Sequence, residues 1–373
     1  MMARAISKAT SAKRARHGKL HAVVLAGGAG ERFWPASRRA RPKPFLEVLN
    51  GESLLAATLS RARRLAAKDC VWTVCGSEHA RAMRAESGLP ANRVLVEPMR
   101  RNTAMAIGFV AQRIVAEDPE AVLAILPADH HIPDPIAFAR AIRRAAAAAR
   151  DFEVLVTLGV KPTRPDTGYG YIQPGSKAGN AAAGLRKVRR FVEKPDAARA
   201  KRYLRQGGYL WNAGIFVWKA RTILEELENW APDIHRALAP IRKSPKRTPR
   251  AALESAYRLA PSLPIDVAVL EPSRRVWTLP VDFRWSDVGT WESLADELGV
   301  AAERGRVIAG ETVIDDVGGN LIWAGKRPVV LLGVEGLAVV DTEDALLVVK
   351  LDQSSRVREV VAELKARGRE DVT

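Results

Sequence analysis

The sequence predicts an α/β protein with a mostly parallel sheet covered by helices, followed by a small all-β module and a terminal helix. Three observations carry this. Short, wholly apolar runs alternate with amphipathic helical patterns through the first half, which is the mark of βαβ units buried on both faces. The first run ends in glycines, as a strand does when it turns into a ligand-binding loop. From about residue 300 the rhythm changes to short apolar pieces separated by glycines and acids, which read as a separate β module.

The first run is HAVVLA (21–26), and Val71–Cys75, Val94–Val96, Ala121–Leu126 and Val154–Val160 repeat its character. Helical patterns fall between them at Leu54–Leu65, Glu78–Glu86, Thr103–Glu117 and Ala137–Arg150. Further strands are expected at Val188–Val192 and Ile215–Trp218. In the β module the pieces are Val307–Ala309, Thr312–Ile314, Leu321–Trp323, Val329–Leu332, Leu337–Val340 and Ala345–Val349. Val357, Val360, Val361 and Leu364 have i, i+3, i+4, i+7 spacing and predict the closing helix. Residues 236–250, with six basic residues, three prolines and no acid, read as an exposed loop. No internal repeat is evident. The division is therefore a basic, disordered tail at 1–20, a main domain at 21–300 and a C-terminal module at 301–373.

Composition narrows the function. The chain has 373 residues, 47 % of them hydrophobic and 27 % charged, so it has ample material for a large core. No apolar run approaches the ~20 residues that span a bilayer, so no membrane partner is expected. Cys70 and Cys75 lack the C-x-x-C spacing of redox or zinc sites, and a reducing, cytoplasmic compartment follows. The net charge is +17, and residues 1–64 hold 14 Lys/Arg against 3 Asp/Glu, so an anionic partner is indicated. Residues 1–20 carry six Lys/Arg, no acid and no apolar stretch of a secretory signal. No helix-turn-helix, RRM, KH or zinc pattern supports nucleic acid as the anion.

The chemistry begins after HAVVLA, in GGAGERFWP. Gly27, Gly28 and Gly30 let backbone N–H groups approach phosphate oxygens. No Gly-Lys-Ser/Thr follows, so this is not a Walker A loop. Phe33 stands where a dinucleotide fingerprint wants Gly or Ala, which disfavours a nicotinamide-dependent oxidoreductase. Arg32 and Lys43 add the fixed cations that a leaving diphosphate needs, although a solvated basic face with Arg38, Arg39 and Arg41 would look similar. Asp129, in Pro127-Ala128-Asp129-His130, ends a strand opposite that loop and suits Mg²⁺, which takes one or two carboxylates plus substrate phosphates. A turn or helix cap is the plainer reading of any such aspartate. His130 and His131 are adjacent and point apart, as in a solvated turn.

The string LAGGAGERFWPASR…RPKPFL resembles the signature of sugar-phosphate nucleotidyltransferases, and among them the mannose-1-phosphate guanylyltransferases. Further matches follow in that family's order: EPMRRNTAMAI (97–107), LPADHHI (126–132), TGYGYI (167–172), FVEKP (191–195), WNAGIF (211–216), PIDVAVLE (264–271) and WSDVGTW (285–291). They span roughly residues 21–295. Pro44 stands where the guanylyltransferases commonly have glutamine, and Met105 where they have proline.

The resemblance implies a Rossmann-like nucleotidyltransferase domain and transfer of GMP from GTP to α-D-mannose 1-phosphate. It places the nucleotide at Leu25, Gly27, Gly28, Gly30, Asn102, Thr103 and Asp129. It places Mg²⁺ on Asp129 and Asp287, and the catalytic cations at Arg32, Lys43 and Lys194. The sugar falls to Tyr169, Gly170, Glu193, Lys194, Asn212, Gly214 and Asp266. From local sequence alone, Asn102 or Thr103 reads equally as an N-cap, Asn212 and Gly214 as a turn, Glu193 and Lys194 as an exposed ion pair, Tyr169 and Gly170 as a hairpin turn, and Asp266 as a strand-end cap. The length leaves no room for the isomerase domain of longer relatives, so the short single-function form is expected. A terminal β module often forms a dimer surface in this family, which implies a homodimer. The runner-up readings are another sugar 1-phosphate, such as glucose 1-phosphate with a different nucleoside triphosphate, and a catalytically silent, sugar-nucleotide-binding regulatory relative.

Overall fold

A computed structural model describes residues 18–28, 30–49, 51–179, 182, 184–300, 306–309, 313–315 and 318–373, without side chains at 306–309 and 313–315. Most of the basic tail expected at 1–20 therefore lies outside the described residues. Lys19 donates its amide to Asp118 Oδ2 at 2.7 Å, and the first strand begins one residue later.

The chain forms two compact units that are not contiguous in sequence. The first takes residues 1–27, 60–127 and 133–284, and the second takes 28–59, 128–132 and 285–373. Residues 28–59 and 128–132, which lie inside the 21–300 segment, thus group with the C-terminal module.

The first unit is built on nine strands: β1 (Leu20–Ala26), β2 (Val71–Gly76), β3 (Val94–Glu97), β4 (Val122–Pro127), β5 (Leu155–Val160), β6 (Tyr171–Lys177), β7 (Arg186–Val192), β8 (Leu210–Lys219) and β9 (Val276–Val281). They form one sheet in the order β3-β2-β1-β4-β8-β5-β9-β7-β6. Only β7 and β8 run against the common direction, so the sheet is mostly parallel. The strands β1, β2, β4 and β5 are almost wholly buried, which explains their unbroken apolar sequences. Helix starts follow local chemistry: Asp134 Oδ1 accepts from the amides of Ile136 and Ala137 ahead of the helix Pro135–Phe152, whose first residue is the proline that N-termini favour.

The segment 236–250 is not a loop. It holds parts of the helices Pro232–Ala237 and Ala239–Lys243, a 3₁₀ turn at Pro245–Arg247 and the start of the helix Arg250–Leu259. Ala237, Leu238 and Ile241 are its buried anchors, and its basic residues lie on either side of them in sequence. Three buried apolar side chains within five residues outweigh the loop-like composition of the rest.

The second unit carries β10 (Arg306–Ala309), β11 (Val313–Asp315), β12 (Leu321–Trp323), β13 (Val329–Leu331), β14 (Leu337–Asp341) and β15 (Leu346–Lys350). β10, β12 and β14 pair in parallel, as do β11 and β13, at intervals of roughly sixteen residues. This is a coil of short strands, a repeat that the sequence does not display. β15 closes the larger stack as an antiparallel edge. The closing helix is Val357–Ala366. Val357 and Val361 from it enter a core with Phe33, Trp34, Leu46, Leu54, Trp291 and Val340.

Candidate active site

The second unit contains a cavity of about 350 Å³ lined by Gly30, Arg32, Lys43, Asp129, His130, Asp287 and Arg358, among others. Gly30 has φ 65°, a left-handed conformation, and a Cβ there would run into Lys43. The chain then enters a 3₁₀ turn, Glu31–Phe33, which brings Arg32 to the cavity. Lys43 opens the 3₁₀ turn Lys43–Phe45, in which Pro44 is buried.

The Lys43 ammonium, only 7 % exposed, sits 2.8 Å from Asp129 Oδ2 and donates to the Asp287 carbonyl at 2.5 Å. It also lies 5.8 Å from the centre of the Phe33 ring. Asp129 follows the end of β4. A single antiparallel bridge between His131 and Ser286 holds its segment beside that of Asp287, with amide–carbonyl distances of 2.9 and 3.1 Å. Asp287 Oδ1 accepts the Gly289 amide at 3.1 Å, and Val288 between them has φ 45°. Burial pushes the Asp129 carboxyl up, but the charges of Lys43 and His130 outweigh it and hold the pKa below the ordinary carboxylate value. Asp129 is therefore an anion at neutral pH.

The two histidines do point apart. His130 accepts the Trp285 indole N–H at 3.2 Å, and His131 lies 3.5 Å from Glu297. Both are half-buried rather than solvated, because each packs against the 285–298 segment.

The first unit holds a second polar cluster. Asn212 lies within β8, not in a turn before it, and is 8 % exposed. Its Oδ1 accepts from Thr157 Oγ1 at 2.7 Å and from the Gly214 amide at 3.2 Å, and its Nδ2 donates to Asp266 Oδ1 at 2.8 Å. Gly214 has φ 65° in mid-strand. Gly170 gives its carbonyl to the Asn212 amide at 2.8 Å, and a Cβ on it would lie 2.6 Å from Glu193 Oε2. Glu193 meets Lys194 Nζ at 2.6 Å, with Lys194 itself at φ 44° and 59 % exposed. Tyr169 packs on Trp211 at 4.9 Å between ring centres. Asp266 opens a short helical turn, Asp266–Leu270, instead of capping a strand. Burial first, and the Glu193 charge second, push its carboxyl up to about 7.

Asn102 begins the helix Asn102–Val115 at φ 60°, after Arg101 at the N-cap, and its Oδ1 accepts the Thr103 amide at 2.9 Å. The Thr103 hydroxyl accepts the Ile265 amide at 2.8 Å, and the Ala104 amide donates to the Leu263 carbonyl at 3.2 Å. The turn is thereby tied to the segment that leads into Asp266.

The structure thus gathers the expected residues into two groups. Gly30, Arg32, Lys43, Asp129 and Asp287 share the cavity, with Gly28 two residues before Gly30. Tyr169, Gly170, Glu193, Lys194, Asn212, Gly214 and Asp266 form the other group, with Asn102 and Thr103 joined to it through Ile265. Leu25 is the penultimate residue of β1, and Gly27, just past the strand, closes the opening segment of the first unit. Of the three expected catalytic cations, Arg32 and Lys43 belong to the second unit and Lys194 to the first. Arg358 in the cavity wall, and Thr157 and Glu271 as partners of Asn212 and of the Glu193 amide, are not legible from local sequence.

A glycine loop leaving a parallel strand, with fixed cations and two aspartates beside it, defines a protein that handles phosphorylated nucleotides. Comparison with known proteins gives the particular family. Residues 21–302 match the nucleotidyl transferase family, and residues 310–364 match the MannoseP isomerase/GMP-like beta-helix domain. Xanthan biosynthesis protein XanB of Xanthomonas campestris pv. campestris (strain B100) is 39 % identical over 357 residues, covering 94 % of this chain and 74 % of that protein. A mannose-1-phosphate guanylyltransferase of Salmonella muenchen is 38 % identical over 363 residues, covering 95 % and 75 %. The crystal structure of a Thermus thermophilus protein named mannose-1-phosphate geranyltransferase superposes with a TM-score of 0.83 at 35 % identity, covering 93 % and 99 %. The chain belongs to the nucleotidyl transferase family. Among the described residues no helix is long and apolar enough to cross a membrane.

Proposed function

We propose that the protein transfers GMP from GTP to α-D-mannose 1-phosphate, giving GDP-mannose and pyrophosphate. The observation that carries this is the Lys43 ammonium held between the Asp129 carboxylate and the Asp287 carbonyl, in a cavity that Arg32 also lines. The base and sugar rest on the named relatives and on the motif order.

In the reaction a phosphate oxygen of the sugar 1-phosphate forms a bond to the α-phosphorus of the triphosphate. The bond to the β-bridging oxygen breaks, and pyrophosphate leaves with its electron pair. The attacking oxygen is already an anion, so no protein nucleophile or base is required. Catalysis is then positioning and charge stabilisation. Arg32, Lys43 and the loop amides receive the phosphates, and Lys194 binds the phosphate of the sugar. Glu193, Asn212 and Asp266 bind hydroxyls, with Asn212 fixed in one orientation by the Thr157 hydroxyl. Thr103 and Asn102 present the turn that receives the base.

A divalent cation fits the residues present. Asp129 is held ionised and lines the same cavity as Asp287, and Mg²⁺ needs only one or two carboxylates when phosphates supply the rest. Bound there, Mg²⁺ would neutralise charge on the phosphate oxygens. A homodimer through the C-terminal module is supported by its edge strand β15, where Leu346 and Val348 are 55 % and 56 % exposed. The two reduced, buried cysteines suit a cytoplasmic location.

The test is pyrophosphate release with Mg²⁺, crossing four nucleoside triphosphates with mannose, glucose and N-acetylglucosamine 1-phosphates. Release with GTP and mannose 1-phosphate alone is expected. Release with another pair keeps the reaction and moves the substrate. No release from folded protein overturns the reading in favour of a silent relative.

A further inference from the structure

We infer that Arg358, on the terminal helix, is a third phosphate-binding cation of the site, supplied by the C-terminal module. The inference rests on the cavity's being the triphosphate site, as proposed above. Arg358 lies outside the 21–302 segment that matches the transferase family and inside the 310–364 segment that matches the β-helix domain. Its side chain nevertheless lines the cavity with Arg32 and Lys43.

The helix is fixed at both ends of its contact with the loop. Val357 and Val361 are buried with Phe33 and Trp34, and Lys365 Nζ sits 2.7 Å from Glu31 Oε1. Arg358 directly follows the anchored Val357, so its backbone is fixed beside the loop while its side chain is exposed at the cavity. The basic residues around it are engaged: Arg356 with Glu359 at 3.5 Å, Lys365 with Glu31, and Arg367 with Glu363 at 2.7 Å. Arg358 makes no ion pair or hydrogen bond among the described residues, and the same holds for Arg32.

The charge balance points to a polyanion. Lys43 is matched by Asp129, and Glu31 by Lys365, which leaves Arg32 and Arg358 against the single carboxylate of Asp287, the residue proposed to hold the cation, and so an excess of positive charge in the cavity. The two unpaired guanidiniums face one cavity. A guanidinium presents a planar fork that matches two phosphate oxygens at once. A triphosphate, or the pyrophosphate it releases, has enough oxygens to engage both forks.

The experiment compares Arg358→Met, Arg358→Lys and Lys43→Met with the parent enzyme. It measures KM and kcat for GTP and for mannose 1-phosphate, KM for pyrophosphate in the reverse reaction, and the melting temperature. Arg358→Met should weaken GTP and pyrophosphate, each by roughly 10- to 100-fold in kcat/KM, the effect of one charge-assisted contact. KM for mannose 1-phosphate and the melting temperature should stay near parent values, and Arg358→Lys should recover part of the loss. A purely structural role would lower the melting temperature and move both substrates alike, and that result overturns the inference. Arg358→Met with parent constants beside a crippled Lys43→Met overturns it too and leaves the site reading intact. Parent constants in both variants overturn the site reading and the inference together.

Discussion

Removing Lys43 tests the centre of the proposed site. In the Lys43→Ala protein, Asp129 Oδ2 loses a donor at 2.8 Å and the Asp287 carbonyl loses one at 2.5 Å. A hydrogen bond to a charged group contributes about 1.5–3 kcal/mol. Asp129 is 29 % exposed, so water replaces part of what it loses, and a net destabilisation of about 1–3 kcal/mol follows. Against a typical stability of about 5–15 kcal/mol the protein stays folded. The rate loss should be larger, on the order of 10²–10³, the effect of deleting one preorganised stabiliser of developing charge. Urea unfolding and pyrophosphate release measure the two effects separately. Adding Asp129→Asn removes the unpaired carboxylate, so the double variant should regain part of the stability and none of the activity. Activity within about threefold of the parent would falsify the assignment of Lys43 to the phosphates. Strict additivity of the two substitutions in stability would refute the pair as an energetic unit.

Four further outcomes are expected. Asn212→Ala strands the Thr157 hydroxyl and Asp266, so KM for the sugar phosphate should rise at least ~10-fold and unfolding should move to lower urea; an unchanged KM removes Asn212 from the sugar site. Gly30→Ala places a side chain at φ 65° against Lys43, costing about 1–2 kcal/mol and most of the activity, and parent-like kinetics would show that the loop tolerates a Cβ. Glu97 is 6 % exposed, and burial pushes its carboxyl from 4.5 up to about 7. The native state then binds the extra proton between those values, so this group's contribution to stability falls as pH rises through them; Glu97→Gln should gain up to about 3 kcal/mol over the parent at pH 8 and nothing at pH 4, and a pH-independent difference would contradict the cause. Chelation with EDTA should abolish pyrophosphate release and added Mg²⁺ should restore it, while full activity in EDTA would remove the cation from Asp129 and Asp287.

The sheet was legible because buried parallel strands write continuous apolar runs, and five of them read correctly from sequence. The antiparallel β8 was half visible: Ile215–Trp218 read as strand, but Asn212 and Gly214 read as a turn because polar residues and glycine rarely continue a buried strand. The structure accommodates them by bonding Asn212 on both sides, to Thr157 and Asp266. The helical parts of 236–250 were hidden by prolines and basic residues, since only Ala237, Leu238 and Ile241 of that segment meet the core. The candidate site was legible where motifs carry it, as at Lys43 and Asp129. It was not legible at Arg358, which lies on the exposed side of an ordinary amphipathic helix and gains meaning only from what the helix packs against.

The second hydrophobic core bears on how such a gene can be cut and shuffled. Phe33, Trp34 and Leu46 share it with Val340, Val357 and Val361, and the Trp34 indole N–H donates to the Val372 carbonyl at 2.6 Å. A chain stopped at residue 300 would keep nearly the whole transferase segment and lose the cover over these rings. Each large side chain left facing water forfeits about 1.5–3 kcal/mol. The C-terminal module is therefore not an accessory that recombination can exchange freely. An exchange between relatives would have to carry residues 28–59 together with the tail, or re-evolve the seam between them.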